Sequence, residues 1–319
     1  MPSFPKPREQ GPKASIGDIL DVQHGSAAIL AITNILSTSR AEITMAQLID
    51  GLPLRHIAKE GRGHTIGIGH PLQEHRELCE GALDRARAWV GALDVLEQFQ
   101  ATDPGSHNFN LRLVETTVVA IHEIAIELFE DRNKSHNEEE LRRVTLWRMD
   151  PIIVNRYDVP PGEALPPPSP QPTLFFHSRY LDYENYPAGL GDMAAYWAED
   201  KIFGGVVLFD RGESDTECKA VYLHSNSWDE TVRVWKLLDH QMEALLGLFK
   251  AEKDSSDGSG GGGAQTSCPL PLICERSSRL RFDDWDAMAV RHIYRDPWER
   301  KVPEKKDFSV IRINDFDYP

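Results

Sequence analysis

Between Tyr186 and Ser225 the chain reads YPAGLGDMAAYWAEDKIFGGVVLFDRGESDTECKAVYLHS, with two apolar runs, 202–209 and 220–223, either side of a polar turn containing Gly212, Ser214 and Asp215. Apolar β-branched and aromatic runs flanking a glycine-bearing turn predict an antiparallel hairpin. Gly204 and Gly205 lie inside the first run, where glycine predicts a bulge or a close backbone approach. Such a hairpin needs neighbours. Further strands are predicted at 151–157, 173–180, 231–237, 279–282 and 308–313, with helical turns over 193–199 and a helix capped by Asp239. Asp283 or Asp284 is expected to cap a last helix ending before Pro297.

Upstream the period changes from two to between three and four. Ser26 is expected to cap a buried helix over AAILAITNIL, and LPLRHIAKEG reads as a short helix stopped by Gly61. Cys79, Ala82, Ala86, Trp89, Leu93 and Leu96 predict one amphipathic helix over 72–99. Leu111, Val114, Val118, Ile121, Ala125 and Leu128 predict a second, antiparallel to the first. DRNKSHNEEELRR reads as a charged connector, and the proline-rich 159–172 as an extended one. The fold expected is α+β: a helical region at 16–148 packed against a largely antiparallel sheet in 149–319. A disordered tail is expected at 1–15 and a glycine-rich flexible linker at 254–267.

At 319 residues the chain can bury roughly three quarters of its unfolded surface, so a full core is expected without crosslinks. The formal charge of −15 disfavours nucleic acid and anionic membranes as partners. The four cysteines include no CxxC pair, which argues against a zinc ribbon or a redox motif. The N-terminus has no apolar stretch of the signal-peptide type, so a location in the cytoplasm or nucleus is expected.

Several fragments approach known chemical motifs, and each lacks a residue. DGLPLRHIAKEGRGH is like one ankyrin helix without a second copy. His122-Glu123 begins like HExxH, but Ile126 stands where the second histidine belongs. His122 shares a stripe with Val119, Ile126 and Phe129, which predicts a neutral core histidine. His136-Asn137-Glu138 lacks a second histidine on a strand, and Asp283-Asp284-Trp285-Asp286 lacks the helical frame of a terpene cyclase. In the Gly- and His-rich segment 61–75, a metal site would take His75 and Cys79, one helical turn apart, plus His64 or His70 from the loop. The plainer reading is a solvated connector, so no metal and no cofactor is expected.

FFHSRYLDYENYPAGLGDMAAYWAEDKIFGGVVLFDRG, together with IDGLPLRH, resembles predicted proteins of filamentous fungi for which no activity is established. The resemblance covers the chain from about residue 16 onward, apart from the glycine linker. It implies a fungal intracellular protein and carries over no catalytic residue.

Two functions follow from the residues. The first is a binding or regulatory partner of a protein or small molecule, with Tyr183, Tyr186, Tyr196 and Trp197 as interface anchors. The alternative is an enzyme working by general acid/base chemistry on a small anionic or polar metabolite. It would draw on His177, Arg179, Glu199, Asp210, Arg211 and His224. A closed pocket where His177, Arg179 and His224 converge with a bound metal or metabolite would favour the enzyme, and a solvent-open, dispersed arrangement would favour the binding partner.

Overall fold

The structure is a computed structural model and describes residues 21–62, 66, 69–88, 104–147, 171–251 and 268–299. An N-terminal helical region packs against a C-terminal antiparallel sheet, an α+β fold. In chain order the helices are α1 (Val22–Leu36), α2 (Ser39–Asp50), α3 (Arg55–Glu60), α4 (Ala82–Ala88), α5 (His107–Glu130), α6 (Glu138–Thr145), α7 (Leu190–Phe203) and α8 (Asp239–Phe249). The strands are β1 (Val206–Asp210), β2 (Val221–His224), β3 (Val234–Lys236), β4 (Arg281–Phe282) and β5 (Ile293–Tyr294). The predicted strands at 151–157 and 308–313, the tail and the glycine-rich linker lie outside the described residues.

The sheet order is β4-β3-β2-β1-β5, and every pairing is antiparallel. The predicted hairpin is β1 with β2, in the register Val206 opposite His224. Its pleat sends Val207, Phe209, Val221, Leu223 and Trp235 into the large core shared with α1, α2, α5 and α7. Val206, Leu208, Tyr222 and Val234 face a second cluster with Tyr180, Tyr196, Met288 and Tyr294. Both faces are covered, so the strand residues are apolar without alternation. Among the described residues no helix is long and apolar enough to cross a membrane.

The differences from the predicted elements have local causes. Ile202 and Phe203 close α7 rather than opening a strand, and Gly204 ends that helix at φ +94°. A Cβ on Gly204 would lie 2.1 Å from the Leu272 carbonyl oxygen, and one on Gly205 about 3.0 Å from the His224 backbone. The glycine pair therefore marks a close approach and a helix stop, not a bulge. Helix α1 starts a turn before Ser26, because the Asp21 carboxylate caps Gln23 and His24 at 2.9 Å each. Residues 173–180 form no strand. They run beside the end of β2 instead, held by Ser178 on the Asn226 side chain at 2.7 Å and His177 on the His224 carbonyl at 2.9 Å. The charged connector contains α6, nucleated by a capping box between Asn137 and Glu140. The helix expected over 72–99 begins only at Ala82, after the short 3-10 turn Pro71–Gln73 and a loop that carries His75 and Cys79. The helix expected after Asp283 is a short turn ending in a π-helical segment, Asp286–Val290, and β5 follows it.

Candidate functional site

Helix α5 is apolar on most of its surface, yet it turns Glu115 and His122, seven residues apart, toward the same neighbour. Helix α7 does the same with Asp192, Tyr196 and Glu199 at helical spacing, and all three are buried. Arg295 and Glu299, just after β5, complete the group.

His122 stands at the centre of this group. Its Nδ1 lies 2.6 Å from Glu199 Oε1 and its Nε2 lies 3.0 Å from Asp192 Oδ1. Both ring nitrogens face carboxylate oxygens, which favour the protonated ring, while the Arg295 guanidinium 3.0 Å from Nδ1 favours the neutral one. Burial and the nearby Arg295 charge push its pKa down, but the two carboxylates outweigh them and the net direction is upward. His122 is thus buried as expected, but it sits between two carboxylates and not among apolar side chains alone.

The surrounding groups are held as tightly. Glu199 accepts from the Val207 amide at 3.2 Å and pairs with the Arg295 guanidinium. Burial opposes its charge, yet Arg295 and His122 bring its pKa below the usual carboxylate range. Asp192 accepts from the Ala188 amide at 2.6 Å. Arg295 lies over the Tyr196 ring at 4.8 Å, and the Tyr196 hydroxyl donates to Glu299. Glu299 goes the other way from Glu199. Burial raises its pKa, Arg295 opposes this, and the neighbouring Asp296 adds to the rise, so the net direction is upward. Arg211 donates to Glu115 at 2.5 Å and to the Arg295 carbonyl at 3.1 and 2.5 Å, which fixes the backbone that carries Arg295.

A second group meets the first through stacked aromatic rings. Tyr180 stacks on Tyr196 with centroids 4.5 Å apart, and its hydroxyl lies 3.3 Å from His224 Nδ1. His224, the last residue of β2, has its Nε2 3.8 Å from Asp284 Oδ1. Asp284 Oδ2 pairs with Arg179 at 3.4 Å. His177 supports this arrangement through backbone bonds: its Nε2 donates to the His224 carbonyl at 2.9 Å and its Nδ1 accepts from the Arg179 amide at 3.1 Å. Burial pushes His177 down to about 3, so it stays neutral and positions its neighbours. At this end the site reaches solvent, since Arg179 is 40% exposed and Asp284 22%.

The structure distributes five of the six proposed catalytic residues over the two groups. Arg179 and His224 face Asp284 with His177 bonded to the backbone of both, while Glu199 and Arg211 meet through Arg295. Asp210 stands apart, bonding the Gly212 amide in the β1 turn at 3.0 Å. Of the aromatic anchors, Tyr186, Tyr196 and Trp197 are buried within the chain and Tyr183 is half-buried. Sequence reasoning gave no role to Asp192, Arg295 or Glu299. The helical spacing of Asp192, Tyr196 and Glu199 was the available signal, but nothing local announces that residue 295 returns to residue 199.

Compared with known proteins, the chain matches no family model, no curated protein and no solved structure. The chemistry of the side chains is what remains to argue from.

Proposed function

We propose that the chain is an enzyme acting on a small anionic or polar metabolite by general acid/base chemistry, at the end of the charged cluster where Arg179 and Asp284 reach solvent. The observation that carries this reading is that Asp284 faces both Arg179 and His224, with His177 bonded to the backbone of each. An anionic group that displaces Asp284 from Arg179 would gain the guanidinium as its partner and lie beside His224. His224 would exchange the proton. Tyr180 behind it, stacked on Tyr196, links His224 to the Glu299 hydrogen bond. Charged groups this dense and this buried are costly to assemble, and functional sites are where folds carry that cost.

A binding or regulatory role is the second reading, favoured by Leu280, Trp285 and Val290, large apolar side chains left exposed in one short segment. One experiment separates the two. Small carboxylates, phosphates and sugar phosphates are screened for thermal stabilisation of the chain, and any ligand found is followed for turnover by NMR in deuterated water. The expected result is a ligand that stabilises the protein, loses its effect in Arg179→Ala, and reacts far more slowly with His224→Gln. Stabilisation by none of these compounds, alongside capture of a protein partner lost on Trp285→Ala, would replace the enzyme with the binding module.

A further inference from the structure

A separate cluster of donor atoms lies in the helical region, at Asp50, His75, Cys79 and His136. Asp50 is the last residue of α2, His75 and Cys79 belong to the loop before α4, and His136 directly precedes the Asn137 cap of α6. One ligand atom from each of Asp50, Cys79 and His136 can be chosen so that all three lie within 4.8 Å of one another. Cys79 Sγ is 3.5 Å from His136 Nε2. Asp50 Oδ2 is 3.2 Å from His75 Nε2 and 3.9 Å from His136 Nε2, so both rings face the same carboxylate oxygen. The Cys79 amide also donates to the Asp50 carboxylate at 3.3 and 3.4 Å, the Cys79 and Ser135 side chains hydrogen-bond it, the His136 amide donates to the Asp50 carbonyl at 3.4 Å, and the His75 and His136 rings pack perpendicular at 5.1 Å.

From these distances we infer that Asp50, His75, Cys79 and His136 form a tetrahedral site for a divalent transition metal of the zinc class. Zinc bonds of about 2.3 Å to sulfur and about 2.0–2.1 Å to nitrogen or oxygen put the donors of a tetrahedron about 3.6 Å apart for S···N and about 3.3 Å for N···O. Two of the edges, Cys79–His136 and Asp50–His75, match those lengths, and Asp50–His136 at 3.9 Å would close by about half an ångström on binding, with His75 turning in from the Asp50 side. A thiolate, two imidazoles and one carboxylate suit zinc and cobalt, whereas magnesium and calcium would take oxygen alone.

Two features turn donor atoms toward one point. His75 Nε2 is buried and lies 3.2 Å from the Asp50 carboxylate, which is itself fully buried. His136 Nδ1 lies 3.5 Å from Glu140 Oε2, and the capping box holds that glutamate in place through the Asn137 amide at 3.2 Å. A carboxylate on Nδ1 fixes the proton there and leaves the Nε2 lone pair facing Cys79 and Asp50, which is how ligating histidines are commonly oriented. The metal would join the end of α2, the 74–81 loop and the start of α6. His70 does not belong to this group: it accepts from the Leu72 amide at 3.1 Å and packs on Trp147. His64 lies outside the described residues.

The full-length chain, stripped with a chelator, is titrated with Co(II) and with Zn(II), and metal content is measured by mass spectrometry. The expected result is one equivalent per chain, with a thiolate-to-cobalt charge-transfer band and the strong visible bands of a tetrahedral ion. Cys79→Ser should abolish the charge-transfer band, His136→Ala should weaken Zn(II) binding at least tenfold, Glu140→Gln should weaken it about tenfold, and His70→Ala should change nothing. Both main variants lie in loops, and their circular dichroism is compared with wild type to confirm that they fold. A wild-type chain that takes up less than half an equivalent and shows no charge-transfer band would overturn the site. So would full binding by folded Cys79→Ser and His136→Ala.

Discussion

Both nitrogens of His122 are engaged by carboxylates, and Arg295 supplies a positive charge beside them. Replacing the imidazole with an apolar group leaves Asp192 without that partner and Glu199 with Arg295 alone. His122→Leu should therefore cost about 3–5 kcal/mol, the range for breaking a buried ion pair, read as the shift in urea unfolding. A loss under about 1 kcal/mol, the scale of an ordinary hydrogen bond, would mean the carboxylates do not depend on it. The same residues set a pH profile. His122 is raised, so its contribution is complete below the ordinary histidine value near ~6.5 and is lost as pH rises through its folded value. Glu299 is also raised and is lost in the same direction, starting from the ordinary carboxylate range. Glu199 is lowered, so its contribution is complete above the ordinary glutamate value and disappears as pH falls through its folded value. Urea midpoints against pH should decline on both flanks, and His122→Leu should flatten the alkaline one. An unchanged alkaline flank in the variant would assign it to other groups. Of this cluster, the sequence made Glu199 and Arg211 visible as charged residues beside strands. It could not reveal the charge state of His122, because that depends on partners 70 and 77 positions away.

At the scale of elements, legibility followed the contrast between faces. Helix α5 could be found because one stripe of it is apolar, whereas α7 is buried almost all round and its pattern shows no polar face to mark its length. The segment 173–180 has strand-forming residues, yet it is held at the end of β2 through the His177 and Ser178 side chains, so tertiary context decided its state. Gly51 and Gly204 test how α helices stop in this fold. Both end a helix at φ +94°, but a Cβ on Gly51 would meet the flexible Leu141 side chain at 3.0 Å and one on Gly204 would meet the Leu272 carbonyl at 2.1 Å. Alanine at either should cost about 1–2 kcal/mol for the left-handed backbone. Gly204→Ala should cost clearly more, because Leu272 also donates its amide to the Phe203 carbonyl at 2.8 Å and cannot retreat without losing that bond. Equal thermal shifts for the two variants would show that the close approach carries no energy.

For the whole molecule, the segment from Arg281 to Tyr294 matters most, because it supplies both outer strands of the sheet. Strand β4 covers β3 at one edge and β5 covers β1 at the other, with Ala287 and Met288 between them packed on the second core cluster. Arg295 and Glu299 follow directly and hold the charged centre between α5 and α7. One stretch of chain thus protects two strand edges, fills one sheet face and balances the buried carboxylates. A chain truncated after residue 267 loses all of these at once. It leaves β1 and β3 with unpaired edges, and Glu199 without Arg295. The truncated chain should lose cooperative unfolding, retain helical circular dichroism from α1, α2 and α5, and self-associate in light scattering. Arg295→Leu in the full chain keeps the strands and removes only the charge, so it should still unfold cooperatively, at a midpoint lowered by about 3–5 kcal/mol. If the truncated chain unfolds at the wild-type midpoint, the helices and the central strands are sufficient alone, and the segment is an appendage rather than the closure of the fold.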